Sequence, residues 1–432
     1  MVARFFQWLR TFYSDSGKKA SRNLFLLGLF SLLSQCSLLG IMLLSAWKLA
    51  PSDFGIFIFA ITMQGYLFLI GSAGSHSIVV RDITRHPENI DQITASYITL
   101  TTLCSFFAAI FVATTALLVP LGETERIVII LFATAGITPA LGLYPFFDAH
   151  HLQARSMAGI CVIDLCCLVL VAVVWQLQQF SLLFVGLVLA GKWVIGTIIQ
   201  YMIYHCSVRR LHVTFGRAGL ADLARSSIPI FISYLFCVLP LTVGVFFLRV
   251  LAGTETTALF GLACQAGSLV YSFGWLGIRI LQPHIAGPVG IDSRFLVKLI
   301  FFLTLYLVTL ILLAYIGGYL AISFVLDPIY QAALEPLAAM IATGAIIAWG
   351  IAASLYLVRF HEERRVLWIY LLSGICYIGM GIYAIPRSGM RGAMLVSLFS
   401  AVIASVLMSV RACQLIFSNR GPEDQSLKTT GP

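Results

Sequence analysis

The sequence predicts an all-α polytopic membrane protein with about twelve transmembrane helices in two six-helix lobes. Of its 432 residues, 60% are hydrophobic and only 10% are charged, whereas soluble domains carry about 25% charged residues. A soluble globule of this size has too little polar surface to cover so many apolar residues. The apolar residues form continuous blocks rather than alternating strands, which excludes a β-barrel. The formal charge of +9 is scattered in short clusters between the blocks, unlike a nucleic-acid-binding face, so no nucleic-acid partner is expected.

Twelve apolar blocks are long enough to cross a membrane, since a helix needs about 20 mostly apolar residues to span the hydrocarbon. The first block is too long for a cleaved signal peptide and is followed by no small-residue cleavage pattern, so we expect it to remain as a span. The blocks are 24–46, 54–80, 93–120, 127–147, 157–175, 180–205, 228–249, 258–282, 295–322, 337–358, 366–385 and 393–417.

The positions of Lys and Arg predict the orientation of these spans. With the N-terminus inside, the inner segments hold 20 of the 27 cations, the outer segments hold 5, and Lys192 and Arg279 lie within spans. Cytoplasmic loops carry the excess of positive charge in multi-pass proteins. We therefore expect both termini to be cytoplasmic.

The longest polar connection, residues 206–227, divides the chain into an N-terminal lobe at 24–205 and a C-terminal lobe at 228–417. Many transporters consist of two such repeats around a central site. Residues 1–23 mix aromatic and basic side chains, as an interfacial helix on the cytoplasmic leaflet does. Residues 418–432 form a polar tail that we expect to be disordered.

A weak internal repeat supports two related halves. Residues 48–53 (KLAPSD) and 249–255 (RVLAGTE) end the first and seventh spans. Each runs from a cation through Ala and a turn former to a hydroxyl and an acid. Each is followed by a Phe-Gly pair, at 54–55 and at 260–261.

Lys192 and Asp164 are the ionisable residues that matter most inside the spans. Such residues are costly in hydrocarbon and indicate a functional site by default. Lys192 lies near the centre of the sixth span, about 18–20 Å from either end, too deep for its stem to reach the interface. Asp164 lies about 11 Å inside the fifth span. Lining of a substrate cavity is favoured for Lys192 over a lone structural ion pair. Asp164 either pairs with Lys192 or is a proton-linked acid.

Other polar residues of the spans are candidates for the same cavity or for ion coupling. His76 follows a small-residue patch (GSAGS) at 71–75 near the cytoplasmic end of the second span. It is either a titrating site or an interfacial side chain. Gln35, Gln64 and Gln265 must find partners away from lipid, either as interhelical contacts or as cavity donors.

Cations at the span ends suggest places where an anionic substrate would enter or leave. Lys48 and Arg249 lie at equivalent outer ends, where they either attract the anion or anchor to lipid headgroups. Arg81 and Arg85 end the second span on the cytoplasmic side. They form an entrance for a phosphate-bearing headgroup or an ordinary positive loop. Arg279, near the inner end of the eighth span, fits ordinary snorkelling and belongs to the same entrance region.

No motif predicts an enzyme, a cofactor or a metal site. The sequence has no phosphate-binding loop, no nucleophile elbow and no Cys/His metal spacing. The ten Cys fall mostly in spans, where Cys packs as a small apolar residue. We expect a protein that is not an enzyme and that uses no cofactor.

Four prolines are predicted to interrupt helices. Pro139 and Pro145 lie in the fourth span, and Pro229 and Pro240 lie in the seventh. Interruptions of this kind allow a span to bend between two conformational states.

Residues 49–56 (LAPSDFGI), the patch at 71–75 and residues 78–84 (IVVRDIT) resemble the opening hairpin of bacterial polysaccharide flippases. These are the O-antigen and exopolysaccharide members of the multidrug/oligosaccharidyl-lipid/polysaccharide (MOP) exporter superfamily. Residues 259–268 (LFGLACQAGS), with Gln282 and Pro283 at the end of that span, resemble the second-half signature. The hydropathy match covers nearly the whole chain, and the motif match covers about 60 residues.

The resemblance implies a two-lobed bundle around a cationic cavity in the bacterial inner membrane. Such a protein moves an undecaprenyl-diphosphate-linked oligosaccharide from the cytoplasmic to the periplasmic leaflet by alternating access. Lys192 is then the best candidate to contact the diphosphate. The resemblance also implies membrane lipids, a glycan polymerase and other polysaccharide-assembly proteins as partners.

Two other functions remain as alternatives. A cation-coupled multidrug exporter of the same superfamily tends to need acidic residues in its cavity, whereas this chain offers a mid-span Lys and one convincing buried acid. A membrane glycan ligase or polymerase is disfavoured because the outer loops are short and hold no acid/base cluster.

Overall fold

The computed structural model describes residues 15–118, 121–150, 152–207, 216, 219–286, 293–359 and 362–417, and these residues form helices without strands. The predicted all-α fold class is confirmed. Two 3-10 helices at Pro87–Asn89 and Pro328–Ala333 and a π-helical turn at Ala321–Val325 lie between the α-helices. The α-helices are α1 (Asp15–Lys48), α2 (Pro51–Ser72), α3 (His76–Arg85), α4 (Ile90–Leu118), α5 (Glu123–Ala135), α6 (Ile137–Ala140), α7 (Tyr144–Ala149), α8 (Gln153–Gln176), α9 (Leu182–Ser207), α10 (Leu220–Leu251), α11 (Gly253–Ala286), α12 (Ser293–Leu320), α13 (Leu334–Arg359) and α14 (Glu363–Phe417).

Ten segments of the described chain are long and apolar enough to cross a membrane, whereas the sequence predicts twelve. One reason is that α14 contains the eleventh and twelfth predicted spans. Gly389 inside this 55-residue helix has non-helical backbone angles, φ 55° and ψ −129°, and separates them. The other reason is that the fourth predicted span, 127–147, is divided among α5, α6 and α7, which have 13, 4 and 6 residues.

The break in the fourth span follows from its residues. Gly136 ends α5, and the ring of Pro139 allows no backbone N–H donor at that position. Pro145 lies in the first turn of α7, where a missing N–H costs nothing. By contrast, α10 runs unbroken through Pro229 and Pro240. The predicted interruption of the seventh span is wrong, because a proline removes one backbone hydrogen bond and membrane helices tolerate that loss.

A second break separates α2 from α3 inside the second predicted span. Ala73 and Gly74 both have left-handed backbone conformations, with φ of 49° and 66°. This conformation is ordinary for glycine and costly for alanine. The helix then restarts as α3, whose buried side chains are Ile78, Val79 and Ile83.

The described residues belong to two compact units. The first lies within residues 1–49 and 63–228, and the second lies within 50–62 and 229–432. In the first unit, α1 packs along α8, and α9 packs against α8 and α5. In the second unit, α13 packs against both α11 and α14.

Residues 50–62 belong to the second unit, although the prediction places all of 24–205 in the N-terminal lobe. Their packing explains this assignment. The ring of Phe54 lies edge-on to that of Tyr330, with centroids 5.8 Å apart. A Cβ at Gly55 would lie 2.0 Å from the backbone carbonyl oxygen of Thr254, so only glycine permits this approach. The other lobe boundaries stay predictions.

Parts of the predicted polar segments lie outside the described residues. These are 1–14 of the interfacial segment 1–23, 208–215 and 217–218 of the loop 206–227, and the tail 418–432. Two described edges differ from the prediction: α1 extends the first span back to Asp15, and α10 begins at Leu220, inside the predicted loop.

Candidate functional site

Lys192 and Asp164 form an ion pair in the interior of the first unit. Lys192 lies near the middle of α9, and Asp164 lies in α8. Their side chains are 6% and 1% exposed, and Nζ of Lys192 lies 2.8 Å from Oδ1 of Asp164. The pairing that the sequence left open is therefore present in this structure.

Ser34 and Trp193 complete the surroundings of the pair. Ser34 of α1 donates a hydrogen bond to Oδ2 of Asp164. The ammonium of Lys192 lies 4.7 Å from the centre of the Trp193 ring, a distance at which the ring face attracts a cation. The pair thus connects α1, α8 and α9 at one polar centre. Because each buried charge compensates the other, removal of one leaves an uncompensated charge in the interior.

A small cavity lies beside the pair, with about 10 Å³ open to the centre of a water molecule. That volume is close to the minimum needed to hold one water. Although Oδ1 of Asp164 contacts Lys192, it accepts no hydrogen bond of good geometry from the described residues. This oxygen therefore keeps acceptor capacity next to the cavity. The cavity is lined by Tyr144, Ile160, Ile163, Asp164, Lys192, Trp193, Gly196 and Thr197.

Polar side chains of α9 hold the broken fourth span. Backbone groups freed by a break inside a membrane must find partners within the protein. Thr197, Gln200 and Tyr201 supply them from one face of α9, at the i, i+3, i+4 spacing that places side chains together. Thr197 Oγ1 donates to the carbonyl of Thr138 (2.8 Å), the Tyr201 hydroxyl donates to the carbonyl of Leu141 (3.2 Å), and the backbone N–H of Leu143 donates to Oε1 of Gln200 (3.1 Å).

Tyr97 of α4 holds the same break from a second helix. Its buried hydroxyl lies 2.8 Å from the carbonyl oxygen of Gly142 and 3.2 Å from that of Ala140. Thr197 belongs both to this set of contacts and to the cavity lining. The ion pair and the break therefore share one polar face of α9.

His76 and Asp148 pair at the ends of the two half-helices that the breaks create. His76 begins α3, and Asp148 lies in α7. Nε2 of His76 lies 2.8 Å from Oδ2 of Asp148, and the side chains are 41% and 13% exposed. A carboxylate accepts at this distance when Nε2 carries the proton. The pair connects α3 and α7, the C-terminal pieces of the second and fourth predicted spans.

The two cations predicted for the outer ends of the spans lie at the ends of long helices. Lys48 ends α1, is exposed, and places Nζ 5.5 Å from the centre of the Trp175 ring. Trp47 packs against the same ring at a centroid distance of 5.3 Å. Tryptophans at the ends of spans are typical of membrane-interface anchors. Arg249 is half-buried in the last turn of α10.

The remaining predicted cavity residues do not line the cavity beside the pair. Gln64 is buried in α2, Gln35 is half-buried in α1, and Gln265 is half-buried in α11. The structure thus brings together Lys192 and Asp164 from the predicted set and leaves the roles of the three glutamines as predictions.

The predicted entrance residues lie at two helix ends. Arg81 and Arg85 are exposed on α3, and Nε of Arg81 lies 3.0 Å from Oδ1 of the adjacent Asp82. Arg279 belongs to α11, and its side chain lies outside the described residues.

Several residues of the site were missed by the sequence reasoning. Those on α9 carried a usable signal, because polar and small residues recur along one face at 192, 193, 196, 197, 200 and 201. Ser34 carried none, since its contact with Asp164 joins residues 130 positions apart.

Buried charge is confined to the first unit among the residues that the structure describes. The buried charged side chains there are Glu125, Asp164 and Lys192. The second unit buries hydroxyl groups of Ser, Thr and Tyr instead. The two units therefore have different interior chemistry.

Apolar spans, two of them broken, and a charged pair within the bundle are the architecture of multi-pass membrane transporters. A family described as polysaccharide biosynthesis protein matches residues 20–273, and the chain belongs to that family. No curated protein sequence matches the chain significantly.

Solved structures show the fold of the MOP superfamily. The inward closed conformation of the lipid II flippase MurJ is similar with a TM-score of 0.69 and 12% identity, over 90% of this chain and 87% of that one. An inward-facing multidrug resistance MATE family transporter has a TM-score of 0.64 and 14% identity, over 91% and 96%. A MOP superfamily transporter from Pyrococcus furiosus has a TM-score of 0.61 and 14% identity, over 94% and 97%. The predicted membership of a polysaccharide family and the predicted MOP-exporter-like fold are confirmed.

Proposed function

We propose that the protein is a flippase that moves a lipid-diphosphate-linked oligosaccharide, an O-antigen or exopolysaccharide repeat unit, from the cytoplasmic to the periplasmic leaflet by alternating access. The family description supports a role in glycan assembly, and the likeness to a lipid II flippase supports a lipid-linked cargo. The observation that carries the proposal is Lys192, a cation kept in the interior of a membrane bundle.

The ion pair defines how Lys192 would act. A diphosphate that leaves water needs a cation, and Lys192 supplies one, but Asp164 neutralises it at 2.8 Å. The diphosphate must compete with Asp164 for the ammonium, and protonation of Asp164 releases Lys192. Substrate binding and proton binding are then coupled through this pair.

Two titratable residues, Asp164 and His76, are proposed for ion coupling. Asp164 is the first, because its charge decides whether Lys192 is available. His76 is the second, because imidazole changes charge near neutral pH and this one pairs with Asp148 across two half-helices. A pH-dependent His76–Asp148 contact would couple α3 to α7.

The other predicted residues have subsidiary roles in the proposal. Cations at the cytoplasmic entrance attract the diphosphate, outer-end cations receive it, and amides donate hydrogen bonds to it or to the sugars. The entrance cations are Arg81, Arg85 and Arg279, the outer cations are Lys48 and Arg249, and the amides are Gln35, Gln64 and Gln265.

We propose the bacterial inner membrane as the location, with both termini in the cytoplasm. The positive-inside distribution supports this orientation. Fluorescent-protein and alkaline phosphatase fusions at residue 432 test it, since the first is active in the cytoplasm and the second in the periplasm.

The proposal is tested by Lys192→Ala and Lys192→Glu in a strain that lacks the wild-type gene. Both variants are expected to lose surface glycan and to accumulate lipid-linked oligosaccharide in the inner leaflet. Arg364→Ala, which removes an exposed cation of α14, is the matched control and is expected to export normally. Normal surface glycan in a strain that expresses Lys192→Glu at the wild-type level contradicts the proposal.

The likeness to MATE family transporters favours a second candidate, a cation-coupled multidrug exporter. Such a protein needs an acid for its cationic cargo, but the buried Asp164 is already paired with Lys192. A deletion strain with normal surface glycan and heightened sensitivity to lipophilic cations would favour this candidate over the flippase.

A further inference from the structure

The cavity beside the ion pair has about the size of a site for a single water molecule, and polar side chains stand within its mainly apolar lining. About 10 Å³ is open to the centre of a water, and a buried water makes about three hydrogen bonds. Oδ1 of Asp164 retains acceptor capacity there. Thr197 and Tyr144, two residues that carry a hydroxyl group, belong to the same lining.

Thr197 is the residue that connects this cavity to the broken span. A hydroxyl group has one hydrogen to donate and two lone pairs to accept with. Thr197 uses its hydrogen on the carbonyl of Thr138, at 2.8 Å. Its lone pairs remain available to a donor in the cavity that it lines.

We propose that the cavity binds one water molecule, which bridges the Asp164 carboxylate and the Thr197 hydroxyl and so couples the protonation of Asp164 to the break in the fourth span. This inference rests on the proposed role of Asp164 as the coupling acid. It adds the route by which the charge of that acid changes the structure of the first unit.

The direction of each hydrogen bond determines whether protonation of Asp164 strengthens or weakens the contact between α9 and the break. While Asp164 is charged, the water donates one hydrogen to Oδ1 and the other to Oγ1 of Thr197, and the Thr197 hydrogen stays on Thr138. When Asp164 is protonated, its carboxyl group donates to the water. The Thr197 hydroxyl can then donate to the water as well, which leaves the Thr138 carbonyl without this partner. Protonation therefore loosens the contact between α9 and the break.

The groups that face Asp164 come from four helices. Lys192 and Trp193 belong to α9, Ser34 to α1, and Tyr144, which shares the cavity, to α7. Cys161 and Cys167 lie before and after Asp164 on α8 itself. Lys192 is the member of this set that forms an ion pair with Asp164. A change in the charge of Asp164 therefore acts on Lys192 and on the water bridge.

Hydrogen–deuterium exchange of residues 136–143, measured on the full chain in lipid nanodiscs at one fixed pH, tests the coupling. Asp164→Asn places an amide donor where the protonated carboxyl group would donate. Thr197→Val removes the hydroxyl group, and Thr197→Ser restores it. Tyr201→Phe is the matched control, because it removes a contact to Leu141 from the same face of α9 without lining the cavity.

Asp164→Asn and Thr197→Val are each expected to speed exchange in this segment by about threefold, as loss of one average interhelical hydrogen bond in a membrane does. The double variant Asp164→Asn/Thr197→Val should exchange no faster in this segment than either single variant. By contrast, the effect of Tyr201→Phe should add to that of Asp164→Asn when the two are combined. Thr197→Ser should match the wild type. The proposal is overturned if the effects of Thr197→Val and Asp164→Asn on exchange add up in the double variant. It is also overturned if Asp164→Asn exchanges at the wild-type rate.

If Asp164→Asn fails to fold because Lys192 loses its partner, the same comparison is made in Lys192→Met/Asp164→Asn, with and without Thr197→Val. Exchange and glycan export are separate readouts. Non-additive exchange, together with surface glycan that stays normal when the gene is deleted, supports the coupling and contradicts the flippase function. Lost export with additive exchange contradicts the coupling alone.

Discussion

The ammonium of Lys192 lies 2.8 Å from the carboxylate of Asp164, and neither side chain is more than 6% exposed. The two charges cancel inside a bundle where either one alone would be costly. Ser34 and Trp193 add a hydrogen bond and a ring face from α1 and α9. The pair is therefore a structural contact between three helices, α1, α8 and α9.

Removal of one partner should destabilise the protein more than removal of both. We expect Lys192→Met to lower stability by about 3–5 kcal/mol, because it leaves a buried carboxylate unpaired. Lys192→Met/Asp164→Leu should recover most of that loss. Thermal unfolding in nanodiscs measures both variants side by side. A single variant as stable as the double variant would show that the two charges do not depend on each other.

The hydroxyl group of Tyr97 should stabilise the broken fourth span. Tyr97→Phe removes the donor to the carbonyls of Ala140 and Gly142 and leaves the ring in place. We expect a loss of about 1 kcal/mol in unfolding free energy. Tyr319→Phe, which deletes an exposed hydroxyl group, is the control and should behave as the wild type. Equal effects of the two substitutions would argue against a clamp at Tyr97.

A methyl group at Gly344 should force α11 and α13 apart in the second unit. A Cβ there would lie 2.0 Å from the backbone carbonyl oxygen of Gly267, and backbone cannot yield as a side chain can. We expect Gly344→Ala to cost about 1–3 kcal/mol, the usual cost of overpacking. A Cβ at Gly317 meets no atom within 4 Å. Gly317→Ala should therefore leave the midpoint of thermal unfolding unchanged or raise it.

Glu362 should make stability depend on pH at the start of α14. The Arg411 guanidinium donates two hydrogen bonds to its carboxylate, at 2.9 and 2.5 Å, and lowers the pKa of Glu362 below its ordinary value of 4.5. A lowered pKa contributes stability that is fully present above the ordinary value and is lost as pH falls through the lowered one.

Thermal unfolding of Glu362→Gln as a function of pH measures this contribution. The midpoint of the wild type should fall more steeply than that of the variant once the pH drops below 4.5. Parallel curves for the two proteins in that range would mean that the Arg411–Glu362 contact adds no pH-dependent stability.

The spans themselves followed from the sequence because hydrocarbon thickness fixes the length of a crossing helix. The separation of residues 366–385 from 393–417 was predicted correctly, since the non-helical Gly389 lies at the polar turn between them. The left-handed Ala73 could not be predicted, because an L-residue adopts this conformation only where packing imposes it.

The depth of Lys192 was predictable from its position, whereas its partners depend on tertiary packing. The helical rise per residue placed Asp164 at a depth within reach of the Lys192 side chain. The rotation of α8 that turns Asp164 toward Lys192 is set by the side chains along the whole interface between α8 and its neighbours. The placement of residues 50–62 in the second unit depends likewise on contacts such as Phe54 with Tyr330, which join distant parts of the chain.

The requirement for the charge of Lys192 is tested most directly in proteoliposomes that contain a lipid-diphosphate-linked oligosaccharide. The Lys192→Met/Asp164→Leu variant keeps a neutral interior and removes the cation together with its partner Asp164, so an uncompensated buried charge does not obscure its transport. Transfer of the oligosaccharide between leaflets is measured against the wild type and Arg364→Ala. We expect the double variant to move it no faster than empty liposomes and Arg364→Ala to move it at the wild-type rate. Wild-type transfer by the folded double variant would contradict the role of Lys192 in binding the diphosphate.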